Sequence, residues 1–407
     1  MIKKFLGSEF GKGTIVLLIM LNIVNIINFI FHFVMGRMLG PEGYGILAVL
    51  MSLIYIYTIP AESIQNLISR YITRFSVNKE EGKAKFMILK SLNKIGLFSF
   101  GVFVILIPIS IFLSSFLDIN LWLILVANIF IFSAFIGPIA RGTLQGRKKF
   151  KLFGSSMIIE SIIKLLLGIL LVLIGAKVFG ALVGILVGGL IGIVFAFYFN
   201  LDLLKNKSEK IETREIYIES IPYFIVQIVI LLVFSLDIIL AKRFFSAELA
   251  GQYAVLSMIG KIIFFATMSI SKAMFPLTCE DCENGKNPKK LFRNSLLMVL
   301  FLCTCAISVY ALVPKLLVFI LYGTQYLDIA NYLFVSGIAF SFLSLTNLRL
   351  IYGLSVNKLK YAPFLFIFLI IEIIILSLFN DNILEYILGF MFSNIVMFIG
   401  SLFFVRR

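Results

Sequence analysis

Ionisable side chains that interrupt long apolar stretches are the residues with the clearest potential for chemistry. They are Glu62, Lys164, Asp237 and Lys261, together with His32, the single histidine of the chain. An ionised group inside a lipid bilayer is costly, so such residues usually bind a substrate or an ion, or carry protons. The lysines could bind an anionic group, whereas the acidic residues and the histidine could exchange protons.

The two lysines differ in their local partners. Lys261 lies about 15 Å from the outer end of its predicted helix, near the middle of the membrane, at about 1.5 Å per residue. It has no acidic residue three or four positions away, whereas Lys164 has Glu160 one helical turn before it. Lys261 is therefore the stronger candidate for binding an anionic substrate, while Lys164 could instead be neutralised by Glu160. The alternative for Lys261 is a side chain that reaches the membrane surface or pairs with another helix.

The other three ionisable residues admit a functional and a structural interpretation. Glu62 follows Pro60, which predicts a kink, and it could be a protonatable gate or an ion-pair partner of Arg70. Asp237 lies near the outer end of its segment, where an ion pair with the basic residues at 242–243 is favoured. His32 is interpreted as a hydrogen-bonding residue of a cavity wall rather than as a proton carrier.

Polar residues recur on one face of several predicted helices. At about 100° per residue, each group spans a narrow arc of its helix, as expected for the wall of a water-filled cleft. The sequence predicts this cleft between the first two helices of each half of the chain. The groups are Asn22, Asn25, Asn28 and His32; Ser52, Tyr55, Glu62, Asn66 and Ser69; Tyr223, Gln227 and Asp237; and Tyr253, Ser257, Lys261 and Lys272.

The composition identifies the elements that position these residues. The chain has 407 residues, of which 61% are hydrophobic and 14% are charged. Soluble domains contain about 25% charged residues, so a soluble enzyme and a disordered scaffold are excluded. Twelve apolar stretches are each long enough to cross a bilayer, and only helices satisfy the backbone there. The sequence therefore predicts an all-α integral membrane protein with twelve transmembrane helices.

The basic residues predict the orientation of the chain. Most of the 36 lysines and arginines lie in alternate connections between the apolar stretches, and few lie in the other connections. By the positive-inside rule, both termini are expected in the cytoplasm. A net charge of +15 is thus explained by topology and not by binding to nucleic acid.

An internal repeat relates the two halves. The residues 37–45, which connect the first two apolar segments, resemble the residues 243–253 between the seventh and eighth. Six helices in each half predict a parallel repeat with bundles at residues 1–205 and 206–407, and a substrate site between them. A glycine every fourth residue, from Gly180 to Gly192, is interpreted as a ridge for close helix packing.

Several activities lack the motifs that they require. The sequence contains no phosphate-binding loop for nucleotides, no His-Glu-x-x-His motif, and no long outer loop that could hold a catalytic site. No catalytic residue, metal ligand or cofactor is therefore predicted. The four cysteines are interpreted as unpaired thiols.

Three motifs together resemble the polysaccharide biosynthesis and O-antigen flippase family of the multidrug/oligosaccharidyl-lipid/polysaccharide (MOP) exporter superfamily. The resemblance extends over the whole chain and implies two six-helix bundles in a V around a central cavity. The motif residues are Arg37, Gly40, Pro41, Gly43, Tyr44 and Gly45; the segment 141–146, which ends in Gly146; and Asp237 with Gly251 and Tyr253.

The resemblance also implies a cargo. It would be an oligosaccharide repeat unit on a polyisoprenyl diphosphate, moved from the cytoplasmic to the outer leaflet of a bacterial cell membrane by alternating access. Lys261 and Lys164 would then bind phosphate, and Lys272 and Arg349 would capture the headgroup at the cytoplasmic mouth. The coupling ion would be H⁺ or Na⁺. A polysaccharide polymerase and chain-length machinery are candidate partners besides the bilayer.

Two other functions stay open at this point. A multidrug cation antiporter of the same superfamily would favour an acidic cleft, which the apparently unpaired Lys261 argues against. A membrane glycan polymerase or ligase would have a similar length and number of helices. The short outer loops argue against that enzyme.

Overall fold

The computed structural model describes residues 9–205, 207–209, 221–283, 287–356 and 362–404. The predicted cytoplasmic termini lie outside these residues. α-Helices dominate the described chain, with short 3₁₀ turns at Leu201–Lys205, Thr324–Tyr332 and Ala362–Leu365. The α-helices are α1 (Glu9–Tyr57), α2 (Ile59–Val77), α3 (Glu81–Leu117), α4 (Leu121–Gly146), α5 (Phe150–Leu171), α6 (Lys177–Tyr198), α7 (Ile221–Phe244), α8 (Ala247–Glu283), α9 (Lys289–Leu312), α10 (Pro314–Tyr322), α11 (Leu333–Ser355), α12 (Phe366–Leu378) and α13 (Ile383–Phe404).

Nine helical segments in the described residues are long and apolar enough to cross a membrane. Two of them, Ile19–Val77 and Phe150–Tyr198, contain 59 and 49 residues. A bilayer core needs about 20 helical residues, so each of these two segments is long enough to cross twice. Pro363–Leu378 is a shorter apolar helix. The chain is thus a multi-pass helical membrane protein, and the number of twelve crossings stays a prediction.

Backbone breaks divide the two longest segments. Gly40 adopts φ 69° inside α1, and Gly175 adopts φ 93° in the π turn between α5 and α6. These left-handed angles suit glycine because it has no Cβ. A third break at Thr58 separates α1 from α2, which has Pro60 in its first turn. The kink expected near Pro60 is therefore present as a helix start, where proline is well tolerated.

The described chain divides into two compact units. The first comprises residues 1–39 and 53–216, and the second comprises residues 40–52 and 217–407. The sequence-based division into 1–205 and 206–407 stays a prediction about folding domains. The two packing units have different boundaries from these predicted domains, because residues 40–52 pack with the second unit.

The predicted glycine ridge packs α6 against α5 in the first unit. A Cβ on Gly184 would lie 2.7 Å from the backbone nitrogen of Gly168. A Cβ on Gly188 would lie 2.7 Å from the carbonyl oxygen of Glu160, and one on Gly192 would lie 2.9 Å from that of Ser156. Real side chains do not approach backbone so closely, so only glycine permits this packing. The structural role predicted for the ridge is confirmed.

In the second unit, the residues of the repeated motif meet each other. A Cβ on Gly45 would lie 2.9 Å from the Cα of Gly251, and a Cβ on Gly251 would overlap the carbonyl group of Pro41. Tyr44, which precedes Gly45 in the sequence, is fully buried. Its hydroxyl lies 3.2 Å from that of Tyr322. The motif therefore builds a tightly packed core.

Candidate functional site

The first unit contains a buried lysine with an amide partner. Lys164 on α5 is 8% exposed, and its ammonium donates a hydrogen bond to the side-chain oxygen of Asn28 on α1. Its Nζ lies 4.7 Å from the ring centre of Phe31, in a cation–π arrangement. The structure thus brings together Asn28 and Lys164, two of the residues predicted to line the cavity.

The carboxylate expected to neutralise Lys164 has another partner. Glu160 forms an ion pair with Arg141 on α4. Glu160 also interacts electrostatically with Lys164, so it is shared between two cations, and neutralisation of Lys164 by Glu160 alone stays a prediction. Gly192 allows this pair to form, since its missing Cβ would lie 2.9 Å from the Cβ of Glu160 and 3.1 Å from Nη2 of Arg141.

His32 and Asn25 lie on the same helix as Asn28. His32 is buried, and its ring meets that of Phe31 edge-on at a centroid distance of 5.9 Å. Asn25 and Asn28 are half-buried. The role of His32 as a hydrogen-bonding residue of a cavity wall stays a prediction.

The second unit contains a buried ion pair between Lys261 on α8 and Asp237 on α7. Their Nζ and Oδ1 atoms are 3.3 Å apart, and the two side chains are 1% and 0% exposed. Ser257 donates to the other carboxylate oxygen of Asp237, and the hydroxyl of Tyr253 lies 3.4 Å from it. Tyr386 on α13 donates to the Asp237 carbonyl oxygen over 2.8 Å.

This pair corrects two expectations. Lys261 is not unpaired, and Asp237 pairs with it rather than with the basic residues at 242–243. The sequence could not show this pairing because the partners lie on different helices, 24 positions apart. Two aromatic rings complete the environment of the Lys261 ammonium, with centres 4.4 Å away in Phe234 and 5.9 Å away in Phe340.

Glu372 on α12 is a candidate functional residue that sequence reasoning missed. It is 1% exposed, and neither carboxylate oxygen has a hydrogen-bond partner among the described residues. It interacts electrostatically with both Lys261 and Asp237. The sequence did offer one indication of its importance. Glu372 is the only charged residue of Phe366–Leu378, a helix otherwise built from apolar residues and one serine.

Four further predicted site residues lie on α2, α7, α8 and α11. Arg349 donates to the carbonyl oxygens of Ser401 and Leu402 near the end of α13, over 3.1 and 3.3 Å, so it caps a helix. Lys272 is exposed on α8. Glu62 is half-buried in the first turn of α2, and Gln227 is half-buried on α7. The predicted binding roles of these four residues stay predictions.

Three other motif residues lie on α1 and α4. Arg37 is exposed on α1, and Gly43 is half-buried after the break at Gly40. Gly146 ends α4 against α2, where a Cβ would lie 2.6 Å from the carbonyl oxygen of Ser69. Among the described residues, no group of three or more His, Cys, Asp or Glu side chains could hold a metal ion.

An ion pair outside the membrane-spanning segments lies near the end of α6. Arg147 donates to both carboxylate oxygens of Asp202, with one Nη1–Oδ1 distance of 2.8 Å. These hydrogen bonds lower the pKa of the Asp202 carboxyl to about 2. Lys149 adds a second positive charge 3.7 Å from the same carboxylate. This group ties the turn between α4 and α5 to the segment that follows α6.

Several solved structures have a fold similar to that of this chain. An inward-facing multidrug resistance MATE family transporter of the MOP superfamily aligns with a TM-score of 0.74 and 14% identity, over 93% of each chain. A MATE transporter in a straight conformation gives a TM-score of 0.70 and 14% identity, over 96% of this chain and 93% of the other. A MOP superfamily transporter from Pyrococcus furiosus is described as having a binding pocket of reverse polarity. It aligns with a TM-score of 0.66 and 14% identity, over 95% of this chain and 93% of the other. The fold of this chain is therefore similar to that of these transporters.

The family follows from the sequence itself. The model of the family described as "Polysaccharide biosynthesis protein" matches residues 10–280. The chain belongs to this family, as the motif resemblance predicted. A comparison with curated proteins finds no match.

Proposed function

We propose that this protein exports a polyisoprenyl-diphosphate-linked oligosaccharide from the cytoplasmic to the outer leaflet of a bacterial cell membrane by alternating access. Membership of the polysaccharide biosynthesis family and the MOP transporter fold support an exporter with a glycan-related cargo. The finer steps, namely the lipid carrier, the direction and the mechanism, are part of this proposal.

The observation that carries the proposal is the charge around Lys164. Glu160 is engaged by Arg141, and Lys164 contacts only the neutral groups Asn28 and Phe31 in its described hydrogen-bond and ring contacts. Two cations and one carboxylate leave this group, in which Lys164 is buried and Arg141 and Glu160 are half-buried, with a net positive charge. A diphosphate is a suitable partner, because buried positive charge is stabilised by anions and lysine binds phosphate as a compact charge.

Lys261 has a smaller part in this proposal than the sequence suggested. Asp237 already compensates its charge, so an anionic cargo would have to compete with a buried carboxylate. We therefore assign the main phosphate-binding role to Lys164, with Asn28 as its positioning partner. Lys272 and Arg349 are retained as candidates for initial capture of the headgroup.

A second candidate function is the export of organic cations. The specific observation in its favour is the cluster of Asp237, Glu372 and Lys261 in the second unit, in which two acidic groups interact with one basic group. The fold neighbours include multidrug transporters, which fits this alternative. The net positive group around Lys164 argues against it, since a cation would be repelled there.

The test is translocation of a polyisoprenyl-diphosphate oligosaccharide between the leaflets of liposomes that contain the purified protein. Wild-type protein is expected to move this lipid, and Lys164→Gln is expected to slow the initial rate by on the order of tenfold. Lys151→Gln, at an exposed position of the same helix, is the matched control and should keep the wild-type rate. Imposed H⁺ and Na⁺ gradients would identify the coupling ion.

Two outcomes would contradict the proposal. Equal rates for wild type and Lys164→Gln would remove Lys164 from the binding site. Absence of lipid movement together with transport of a cationic dye would favour the multidrug exporter.

A further inference from the structure

A cluster of three charged groups in the second unit is almost completely buried. Asp237, Lys261 and Glu372 are all at most 1% exposed, and they lie on three different helices, α7, α8 and α12. Two carboxyl groups and one ammonium cannot all be ionised without leaving a net negative charge in an apolar interior. Such a charge is strongly unfavourable unless a proton or another cation compensates it.

The hydrogen bonds show which carboxyl group lacks compensation. Both oxygens of Asp237 are occupied, one by Lys261 and the other by Ser257 and Tyr253. Both oxygens of Glu372 are buried and have no hydrogen-bond partner among the described residues. The compensating cation therefore belongs on Glu372.

The surroundings of Glu372 favour a proton over a metal ion. Hard cations such as Na⁺ need several oxygen ligands, and the nearest acidic group, Asp237, already uses both of its oxygens. Lys261 is itself a cation that interacts with both carboxyl groups, and it would repel a second cation. The titratable groups that interact with Glu372 are Asp237 on α7, Tyr253 and Lys261 on α8, and Tyr386 on α13.

We propose that Glu372 is a proton-binding site and that Lys261 changes its partner when the proton leaves. In the protonated state, the Lys261 ammonium pairs with Asp237, as the structure shows. When water reaches the site, the O–H bond of Glu372 breaks, the proton passes to water, and the carboxylate keeps the electron pair. Lys261 stays charged and shares its N–H donors between two carboxylates.

This change of partner by Lys261 would couple proton binding to the packing of the helices. Lys261 on α8 would be drawn towards α12 on deprotonation, while α7 and α12 are in direct contact. If the proposed export function holds, this site is where a proton gradient would act on the transport cycle. The proton-binding property itself does not depend on the identity of the cargo.

Infrared difference spectroscopy of the full-length protein in lipid nanodiscs tests the proposal without a transport substrate. A protonated carboxyl group has a C=O stretching band that a carboxylate lacks, so the wild type is titrated from about pH 5 to about pH 10. We expect a carboxyl band that persists above the range of ordinary glutamates and disappears in Glu372→Gln. Glu385→Gln, in the first turn of α13, is the matched control and should retain the band.

The specificity for protons is tested at constant pH. Replacing choline by Na⁺ is expected to leave the band unchanged. Loss of the band on addition of Na⁺ would mean that a metal ion displaces the proton, and it would overturn the proposal of a proton site.

Two further outcomes would also overturn it: a wild-type spectrum with no such band, or a band that remains in Glu372→Gln. If Glu372→Gln cannot be purified, Glu372→Asp replaces it and should shift the band in frequency. An unshifted band would assign the signal to another residue. Because lipid translocation is measured separately, failure of the proton site and failure of the flippase proposal are distinguishable.

Discussion

Gly45 and Gly251 pack backbone against backbone in the second unit, although they are about 200 positions apart in sequence. A Cβ on Gly45 would lie 2.9 Å from the Cα of Gly251. The two residues occupy similar places in the repeated motif, each shortly before or after a buried tyrosine. The two glycines of the repeated motif are therefore the residues that contact each other, because two helices can approach so closely only where both lack side chains.

The first prediction concerns this contact. Gly251→Ala is expected to destabilise the protein, because the new Cβ would overlap the carbonyl group of Pro41, and backbone cannot move aside easily. Gly101→Ala is the control, since a Cβ there meets nothing within 4 Å. Thermal unfolding in detergent should show a lower midpoint for Gly251→Ala only. Equal midpoints for the two variants would contradict the observed packing.

The second prediction uses two neighbouring glycines of the ridge on α6. Gly188→Ala should weaken the packing of α6 on α5, because its Cβ would lie 2.7 Å from the Glu160 carbonyl oxygen. Gly189→Ala should be tolerated, since its nearest contact is an ordinary 3.5 Å to the hydroxyl of Ser133. Alanine is favoured over glycine in helices by about 1 kcal/mol, so Gly189→Ala could even stabilise the fold. The comparison fails if both variants unfold at the same temperature.

The third prediction concerns the buried ion pair of Lys261 and Asp237. Lys261→Met leaves the Asp237 carboxylate without its cation and is expected to reduce the free energy of unfolding by roughly 3–5 kcal/mol. The double variant Lys261→Met/Asp237→Asn removes both charges and should recover part of that loss. A double-mutant cycle on thermal stability measures the coupling. Simple additivity of the two single changes would show that the pair has no energetic coupling.

The fourth prediction concerns pH and Asp202. Because the folded pKa of about 2 lies below the ordinary value of about 3.8, this group stabilises the fold at pH values above about 4. The contribution is lost as the pH falls towards 2. The side chain is 55% exposed, so solvent and salt screen the pair and its effect is small. In Asp202→Asn, the free energy of unfolding should therefore fall less steeply between about pH 4 and about pH 2 than in the wild type. The same pH dependence in both proteins would contradict this assignment.

The fold class could be read from the sequence because bilayer insertion depends on local properties. Segments such as 178–200 are apolar over the length that a membrane requires, and no tertiary contact changes that requirement. The glycine ridge from Gly180 to Gly192 was likewise readable, since its spacing of four residues places every member on one helix face. Family membership followed from the short motif at residues 37–45.

The partners of the charged residues depended on the tertiary structure. Helical periodicity places Lys164 and Lys261 on particular faces, but it does not state which helix lies opposite each face. Arg141 pairs with Glu160 from another helix, and Asp237 pairs with Lys261 in the same way, so local spacing could not predict either ion pair. The burial of Glu372 and the lack of hydrogen bonds to its carboxylate oxygens among the described residues became known only from the tertiary structure. Apolar content is a property of each segment, whereas charge compensation is a property of helices in contact, and only the packed structure determines it.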